Sequence, residues 1–377
     1  MRIAILKNNY VLSAGGSERY TNGLVAELMS RGHEVHVLAA HWDSAAVSTG
    51  VTLHRVPTIK GPSFVRALSF ALGCQRAADG MNCDVVVSVE RTIRQDICRA
   101  GGGCHREWLN QRRRYRPWPR GDLMWLNPLH FTMLWIEKRT YAPRNTRCII
   151  ANSHRGKEEI VRHYQFPAER IQVIHNGVDC DRFRPAPKKP ERREIVLLFV
   201  GSGFERKGLG FAVQALARMP AAVRLEVAGK GNPSPYRRLA KRLGVADRLR
   251  FLGNAAPIEE IYASGDILVH PAIYEPFSNA CLEALACGLP VITTSINGAS
   301  EIIRSGGNGN VIEDPANIPA LATAIEPFLD PAVRAQTRDA ARQTAAALPL
   351  SLNVEKTLAV IESMRTQRQA EKLADQF

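Results

Sequence analysis

The sequence of 377 residues predicts an α/β protein made of two open α/β domains. Three observations support this fold class. The length exceeds what one hydrophobic core usually holds. Short apolar runs rich in β-branched residues alternate with helical patterns along the chain. A proline- and charge-rich segment, residues 184–194, interrupts the alternation, which is typical of a hinge or an exposed connector. The hydrophobic content of 45% is sufficient for folded cores.

The elements follow from the spacing of apolar residues and from capping residues. In the first series, helices are predicted at 17–30, at 63–79 and after Asn152 or Ser153. Strands of this series are predicted at 2–6, 34–39, 51–56, 84–88, 147–151 and 171–174. In the second series, strands are predicted at 195–201, 223–228, 249–252, 266–270 and 289–294, with helices between them. Strands alternating with helices in this way form parallel sheets.

Several function classes are disfavoured by composition. The N-terminal apolar stretch is a five-residue strand, and no run is long enough for a signal peptide or a membrane span, so we expect a cytoplasmic protein. Eight cysteines are scattered without metal-binding spacing, which predicts reduced thiols, and Cys281 and Cys287 are expected to be small core residues. Asp179-Cys180-Asp181 imitates a metal-binding DxD motif, but we assign it to the surrounding NGVDCDRF segment and predict no metal.

The most informative segment is HPAIYEPFSNACLEALACGLPVITT, residues 270–294. It predicts a strand, a loop, a helix capped by Ser278 or Asn279, and a second strand. A helix N-terminus at the carboxyl end of a parallel strand offers unpaired N–H groups and suits a phosphate. Glu275 and Glu283, with seven residues between them, could then accept hydrogen bonds from sugar hydroxyls. Considered alone, two glutamates at this spacing are more often a loop charge and a solvated helix residue than a binding site.

Several ordered segments resemble the retaining glycosyltransferases of family 4. They are MRIAIL, SAGGSERYTNGLVAELMSRGHEVHVLA, HNGVDCDRF, LLFVGSGFERKG and the two-glutamate segment. The resemblance spans nearly the whole chain and implies the GT-B architecture, two Rossmann-like domains facing each other across a cleft. It further implies an acceptor domain at 1–175, completed by a C-terminal crossover helix at about 351–377. Residues 176–350 would form the nucleotide-sugar-binding domain.

The resemblance assigns donor-binding roles to residues of both domains. In the first domain, the loop of Gly15 and Gly16 would lie over the donor phosphates, although two glycines before a helix could also be a simple turn. In the second domain, Leu252 would hold the base through backbone groups, and Glu275 and Glu283 would hold the sugar and the ribose. The amides at Ser278 and Asn279 would bind phosphate, and Phe277 is a further donor-binding candidate.

Two basic residues, Arg206 and Lys207, precede a predicted helix and can stabilise the charge that develops on a departing diphosphate. Family members usually carry arginine at the place of Ser202, so either Arg206 takes over that contact or one phosphate contact is missing. A solvated basic turn is the plain alternative. In the first domain, His105 corresponds to a family histidine near the anomeric carbon. Asp96 is a second candidate, as an acceptor of a hydrogen bond from the acceptor hydroxyl.

The net charge is +14, and residues 101–150 contribute +7 of it through ten basic and three acidic residues. Aromatic residues are interleaved there with arginines, which is typical of a protein that binds an anionic membrane surface. The candidate surface residues are Trp108, Arg112, Arg113, Arg114, Trp118, Arg120, Trp125 and Trp135. The alternatives are an interdomain packing helix and a site for nucleic acid, which would make the chain a basic nucleic-acid-binding protein.

The resemblance also implies a reaction. We expect transfer of a hexose with retention of configuration and without a metal, from UDP-glucose to a heptose of the bacterial lipopolysaccharide inner core. The enzyme would work as a peripheral protein on the inner face of the cytoplasmic membrane. The alternative is another glycosyltransferase that uses a UDP- or GDP-sugar and acts on a membrane lipid or a polysaccharide.

Overall fold

The computed structural model describes residues 1–11, 16–43, 50–116, 126–185, 194–253 and 257–374. The chain forms two compact units. Unit 1 comprises Met1–His175 together with Ser351–Phe377, and unit 2 comprises Asn176–Leu350. Both are α/β units with parallel sheets, as the alternation of elements predicts. None of the described helices is long and apolar enough to cross a membrane.

Unit 1 contains a seven-stranded sheet with the order β5-β3-β1-β6-β7-β8-β9, in which all neighbouring strands are parallel. The strands of unit 1 are β1 (Arg2–Leu6), β2 (Asn9–Tyr10), β3 (Glu34–Ala39), β4 (His41–Trp42), β5 (Thr52–Arg55), β6 (Val85–Ser88), β7 (Gln95–Arg99), β8 (Thr146–Ala151) and β9 (Ile171–Val173). The short strands β2 and β4 pair only with each other.

The helices of unit 1 lie between these strands, apart from a last helix that follows unit 2. They are α1 (Gly16–Ser30), α2 (Ser63–Asp79), α3 (His105–Arg114), α4 (Pro128–Thr140), α5 (His154–Tyr164) and α12 (Leu350–Ala374). Ser153 caps α5 by accepting a hydrogen bond from the Gly156 N–H at 3.0 Å. α12 belongs to unit 1, where Thr357 accepts a hydrogen bond from the Tyr20 hydroxyl of α1 at 3.2 Å.

Unit 2 contains a six-stranded parallel sheet with the order β12-β11-β10-β13-β14-β15. Its strands are β10 (Ile195–Val200), β11 (Val223–Ala228), β12 (Leu249–Gly253), β13 (Ile267–His270), β14 (Val291–Thr294) and β15 (Gly309–Ile312). Its helices are α6 (Leu209–Leu216), α7 (Ser234–Arg242), α8 (Ile258–Ser264), α9 (Asn279–Ala286), α10 (Ile318–Ile325) and α11 (Pro331–Ala346).

Alternate side chains of β10 bury on opposite faces of the unit 2 sheet. Leu198 and Val200 pack with α8, α9 and α11, whereas Leu197 and Phe199 pack with α6 and α10. The central strands are therefore apolar on both faces, as expected of a parallel sheet covered by helices. Burying a leucine or phenylalanine in such a core stabilises the fold by about 1.5–3 kcal/mol.

Arg342 on α11 fixes the start of unit 2 to the end of α9. Its guanidinium donates hydrogen bonds to the carbonyls of Cys180 at 2.7 Å, Phe183 at 2.6 Å and Ala286 at 2.8 Å. The last of these carbonyls belongs to the C-terminal turn of α9, where a cation also interacts favourably with the helix dipole. The NGVDCDRF segment is thus a structural part of unit 2.

The hinge interpretation of residues 184–194 is wrong. The boundary between the units lies at His175 and Asn176, and the residues flanking 186–193 on both sides belong to unit 2. Residues 186–193 themselves lie outside the described part of the chain. β7 and β15 were not predicted from the sequence, because each is short and contains polar residues.

Candidate active site

The candidate site of unit 2 lies where the order of its strands reverses. β10 and β13 are neighbours in the sheet, but α6 after β10 and α9 after β13 pack on opposite faces. The loops that follow the two strands therefore diverge at the carboxyl edge of the sheet. In open α/β sheets, ligands bind in the crevice that this divergence creates.

Glycines allow the loops after β10 and β13 to approach each other closely. An added Cβ on Gly208, whose φ is 78°, would lie 1.8 Å from the carbonyl oxygen of Pro271 in the loop after β13. An added Cβ on Gly201, whose φ is 131°, would lie 2.7 Å from Cε of Lys207. The lysine side chain therefore passes directly over the Gly201 backbone. Side chains at these two positions would displace the segment that carries the basic residues.

A buried carboxylate joins the two loops. Oε2 of Glu275 lies 2.8 Å from Nζ of Lys207, and Oε1 lies 3.1 Å from Nη1 of Arg206. Arg206 also donates to the Tyr274 carbonyl at 3.4 Å. Glu275 is 7% exposed. The three residues that the sequence analysis selected as charged catalytic candidates in this unit are thus brought into one ion-pair cluster.

The charge of Glu275 is set by its two partners. Burial alone would raise the pKa of the Glu275 carboxyl, but the positive charges of Lys207 and Arg206 outweigh it and lower the pKa to about 2. The carboxylate is therefore ionised at neutral pH and can only accept hydrogen bonds.

His270, at the end of β13, was missed by the sequence analysis. Its imidazole is fully buried and stacks on Phe199 at 5.9 Å between ring centroids. Nε2 lies 4.0 Å from Oε2 of Glu275 and 3.4 Å from Oγ of Ser278. Burial and the charge of Lys207 lower the pKa of His270 well below its usual value, so the ring is neutral. In the sequence, a polar residue at the carboxyl end of the apolar run DILVH could have indicated His270 as a site residue.

The N-terminus of α9 is held in place by side-chain hydrogen bonds. Ser278 is the N-cap, and its Oγ accepts from the Cys281 N–H at 3.3 Å. Oδ1 of Asn297 accepts from the Ser278 N–H at 3.1 Å. Asn279 accepts from Nδ2 of Asn176 at 2.6 Å. Asn297 and Asn176 are positioning residues that α/β periodicity could not identify, because each acts across a long sequence separation.

The other predicted donor-binding residues of unit 2 are not members of the ion-pair cluster. Glu283, one turn into α9, accepts a hydrogen bond from the buried Tyr262 hydroxyl at 2.8 Å. Leu252 is half-buried near the carboxyl end of β12, and Ser202 follows β10. The side chain of Phe277 is 4% exposed and packs in the core of unit 2, so only its backbone could contact a donor.

In unit 1, His105 lies at the N-terminus of α3, after the carboxyl end of β7. Its Nε2 lies 3.1 Å from Nδ1 of His130. Burial and the nearby Arg91 lower the pKa of His105 to about 3, so the ring is neutral. The N–H groups of His105 and Arg106 donate to the buried carboxylate of Glu137 at 2.5 and 3.1 Å. An internal carboxylate thus caps α3.

Asp96 is withdrawn as a catalytic candidate. It lies near the amino end of β7, at the sheet edge opposite the one that His105 follows. Its carboxylate accepts from the Val86 N–H at 2.8 Å, and it forms ion pairs with Arg368 at 2.8 Å and Arg147 at 3.4 Å. These contacts hold α12 against the sheet. Of the predicted Gly15-Gly16 loop, Gly15 lies outside the described residues and Gly16 begins α1.

The predicted membrane-surface residues that the structure describes lie on α3 and α4. Trp108 and the run Arg112 to Arg114 are on α3, and Trp135 is on α4. Leu126, Phe131 and Trp135 are 70%, 58% and 41% exposed. The guanidinium of Arg139 stacks 3.9 Å from the Trp135 ring. Trp118, Arg120 and Trp125 lie outside the described residues.

Comparisons with known proteins address the identity of the chain. The family model of glycosyl transferases group 1 matches residues 181–345, and the model of glycosyltransferase family 4 matches residues 14–182. Together they account for both units. The chain belongs to glycosyltransferase family 4. It is therefore an enzyme, as the sequence predicts.

This glycosyltransferase resembles several characterised proteins. It is 27% identical to the lipopolysaccharide glucosyltransferase WaaG of Escherichia coli over 80% of this chain and 82% of WaaG. A crystal structure of WaaG, a glycosyltransferase involved in lipopolysaccharide biosynthesis, superposes with a TM-score of 0.82 at 25% identity and covers 95% of this chain and 99% of WaaG. The predicted GT-B fold class is thereby confirmed.

Other relatives are also similar. The D-inositol 3-phosphate glycosyltransferase 2 of Catenulispora acidiphila is 34% identical over 48% of each chain. Anabaena Alr3699/HepE, crystallised with UDP-glucose, superposes with a TM-score of 0.73 over 96% of this chain and all of HepE. At 19% identity, the HepE match supports the fold alone.

The charge cluster predicts a pH-dependent difference in stability. The folded pKa of Glu275 is below its ordinary value of 4.5, so its stabilisation is complete above pH 4.5 and is lost as the pH falls towards 2. Between pH 7 and pH 3.5, the free energy of unfolding of the wild type should fall by about 1 kcal/mol more than that of Glu275→Gln. Urea titrations at both pH values measure this difference. Glu326→Gln, at an exposed glutamate of unit 2, is the control and should follow the wild type. Equal pH dependence in the wild type and Glu275→Gln would contradict the ion-pair assignment.

Proposed function

We propose that this glycosyltransferase transfers glucose from UDP-glucose, with retention of configuration, to a heptose of the lipopolysaccharide inner core. The observation that carries the proposal is the cluster of Glu275, Arg206 and Lys207 beside the N-terminus of α9, at the reversal point of the unit 2 sheet. Unit 2 then binds the nucleotide sugar, and unit 1 supplies the acceptor site.

The chemistry of the cluster suits a diphosphate. Arg206 and Lys207 offer two fixed cations, and the first N–H groups of α9 point out of the helix with a partial positive charge. In transfer from a sugar nucleotide, the bond between the anomeric carbon and the diphosphate oxygen breaks. Negative charge then grows on that oxygen, and prearranged cations stabilise the transition state more than the ground state.

The carboxylates suit the sugars on either side of the diphosphate. Because Glu275 is ionised, it can accept hydrogen bonds from two hydroxyls of the transferred hexose while it keeps the two cations oriented. Glu283 is assigned to the ribose, with Tyr262 fixing its orientation. The acceptor hydroxyl oxygen forms the new bond to the anomeric carbon, its proton is released, and UDP departs.

His105 is assigned a binding role rather than that of a general base. Its lowered pKa makes the imidazole a weak proton acceptor at neutral pH, but a neutral ring can both donate and accept a hydrogen bond. The contact with His130 restricts the orientation of the ring. We assign His105 to a hydroxyl of the transferred sugar.

The choice of donor and acceptor rests on similarity to the lipopolysaccharide glucosyltransferase WaaG, which extends over most of both chains. The matching inositol-phosphate glycosyltransferases cover only about half of the chain, although at higher identity. They favour a second candidate: a glycosyltransferase that takes a UDP- or GDP-sugar to another membrane lipid or polysaccharide. We assign the stabilisation of the diphosphate charge to protein cations, among them Arg206 and Lys207, and propose no metal at the cluster.

The α3–α4 surface is assigned to the membrane. Phe131 and Trp135 are one helical turn apart and both exposed, and Arg113 and Arg114 are exposed at the end of α3. Exposed aromatic side chains next to arginines suit the boundary between lipid tails and anionic headgroups. We propose that this surface holds the enzyme at the inner face of the cytoplasmic membrane, where a lipid-linked acceptor is present.

The donor assignment predicts a specific pattern of turnover. Purified enzyme given a lipopolysaccharide core acceptor that ends in heptose should release UDP from UDP-glucose faster than from UDP-galactose, UDP-N-acetylglucosamine or GDP-mannose. Lys207→Ala should lower kcat at least 100-fold, because it removes a charge that stabilises the leaving group. Exposed Lys241, replaced by alanine, removes the same charge elsewhere in unit 2 and should leave kcat unchanged.

Two results distinguish an error in the donor from an error in the site. Preference for another sugar nucleotide, with Lys207→Ala still inactive, would replace the donor but keep the site. Turnover of Lys207→Ala at the rate of the wild type would refute the site itself.

The membrane assignment predicts lipid-dependent sedimentation. The enzyme should sediment with vesicles that contain phosphatidylglycerol and remain in the supernatant with pure phosphatidylcholine. The double variant Phe131→Ser/Trp135→Ser should bind about tenfold more weakly or worse, because it removes apolar area that would insert among the headgroups. Ile59→Ser, at a residue 62% exposed in the same unit, is the matched control and should bind normally. Equal losses in both variants, or binding independent of lipid charge, would count against this surface.

A further inference from the structure

The ion-pair cluster of Glu275, Arg206 and Lys207 does not balance the charge of a bound diphosphate. The inference drawn from this imbalance rests on the proposed function and deepens it. Glu275 forms ion pairs with both Arg206 and Lys207, so the three groups together carry one net positive charge. A nucleotide-linked diphosphate carries two negative charges. Binding would therefore be favoured by another cation at the same edge of the sheet.

The loop after β11, residues 229–231, lies at that edge. β10 and β11 are parallel and in register, with Val200 opposite Ala228 at their carboxyl ends. Lys230 is thus two residues beyond the end of β11, just as Ser202 is two residues beyond the end of β10. Because β13 is on the other side of β10, Lys230 and the N-terminus of α9 flank the β10 loop from opposite sides.

Close backbone contacts fix this arrangement. An added Cβ on Gly229 would lie 2.4 Å from the Gly201 carbonyl oxygen, so no side chain separates the two loops. The Lys230 N–H donates to Oγ of Ser202 at 3.2 Å. The side chain of Lys207 lies over Gly201. Lys207 and the backbone of Lys230 therefore both lie against the same short segment, Gly201 to Ser202.

The ammonium group of Lys230 is available for a ligand. The residue is exposed. Within the described part of the chain, its ammonium forms no ion pair. The sequence from 229 to 246 contains five basic residues and no acid, so no carboxylate on this stretch competes for it.

We propose that Lys230 binds the phosphate nearer the nucleoside, while Arg206 and Lys207 bind the phosphate attached to the sugar. The sheet order carries this assignment. With the base at Leu252 near the carboxyl end of β12 and the sugar at Glu275 after β13, the nucleotide runs past β11 and then β10. The loop after β11 therefore meets the nucleotide before the loop after β10 does. Lys230 is a donor-binding residue that supplies the missing positive charge.

The test is a calorimetric titration of UDP, UMP and uridine into the full-length wild type and into Lys230→Ala. Binding of UDP and of UMP should each weaken roughly tenfold or more in the variant, because each loses a charge-assisted contact to the nucleoside-proximal phosphate. Binding of uridine should be unchanged. Lys241→Ala, which removes an exposed lysine from the C-terminal turn of α7, is the matched control and should bind all three ligands like the wild type.

A variant that moves the positive charge of Lys230 to a neighbouring residue distinguishes a phosphate contact of this lysine from a structural role. Because Ser202 is a direct neighbour of Lys230, the double variant Ser202→Arg/Lys230→Ala returns a cation to the same place. It should recover most of the lost UDP affinity. Thermal unfolding without ligand should be the same for Lys230→Ala and the wild type, since the lysine side chain is exposed.

Three outcomes would contradict different parts of this assignment. Wild-type affinity in Lys230→Ala, or an equal loss in Lys230→Ala and Lys241→Ala, would overturn this inference and leave the donor site intact. A loss for UDP without a loss for UMP would overturn the assignment to the nucleoside-proximal phosphate. Failure of the wild type itself to bind UDP would instead refute the proposed donor.

Discussion

One buried carboxylate organises the catalytic half of this enzyme. Glu275 draws Lys207 and Arg206, which follow one strand, to the helix N-terminus that follows the neighbouring strand. Without it, two like charges would be held close together at low exposure, and each would be costly to bury. In the proposed function, the same carboxylate accepts hydrogen bonds from sugar hydroxyls, so the group that stabilises the site would also contribute to recognition.

The backbone makes this interaction geometrically feasible. Gly201 and Gly208 adopt positive φ, and a side chain at either position would collide with the lysine stem or with the loop after β13. Ser278, Asn297 and Asn176 then fix the N-terminus of α9 by hydrogen bonds. In unit 1, by contrast, the Glu137 carboxylate already occupies the first N–H groups of α3. Of these two helix N-termini, that of α9 therefore retains the setting for an external phosphate.

The sequence predicted the fold class, most strands and the members of the charge cluster, because hydrophobic period, caps and motif spacing are local properties. Prediction from the sequence failed where the role of a residue depends on tertiary contacts. Asp96 was selected from its place in the chain, but it faces arginines at the amino edge of its sheet. His270 and Asn297 were missed because their partners are set by the pairing of strands. The family resemblance, not periodicity, supplied the donor and the acceptor.

The proposed site requires that a nucleotide diphosphate bind between the loops that follow β10 and β13. Amide hydrogen exchange of the full-length enzyme, with and without saturating UDP-glucose, tests it most directly because it locates the ligand without any substitution. Exchange should slow in residues 201–208 and 275–282 and remain unchanged at the amino edge of the same sheet. Saturable binding that leaves both of these segments unprotected would contradict the account.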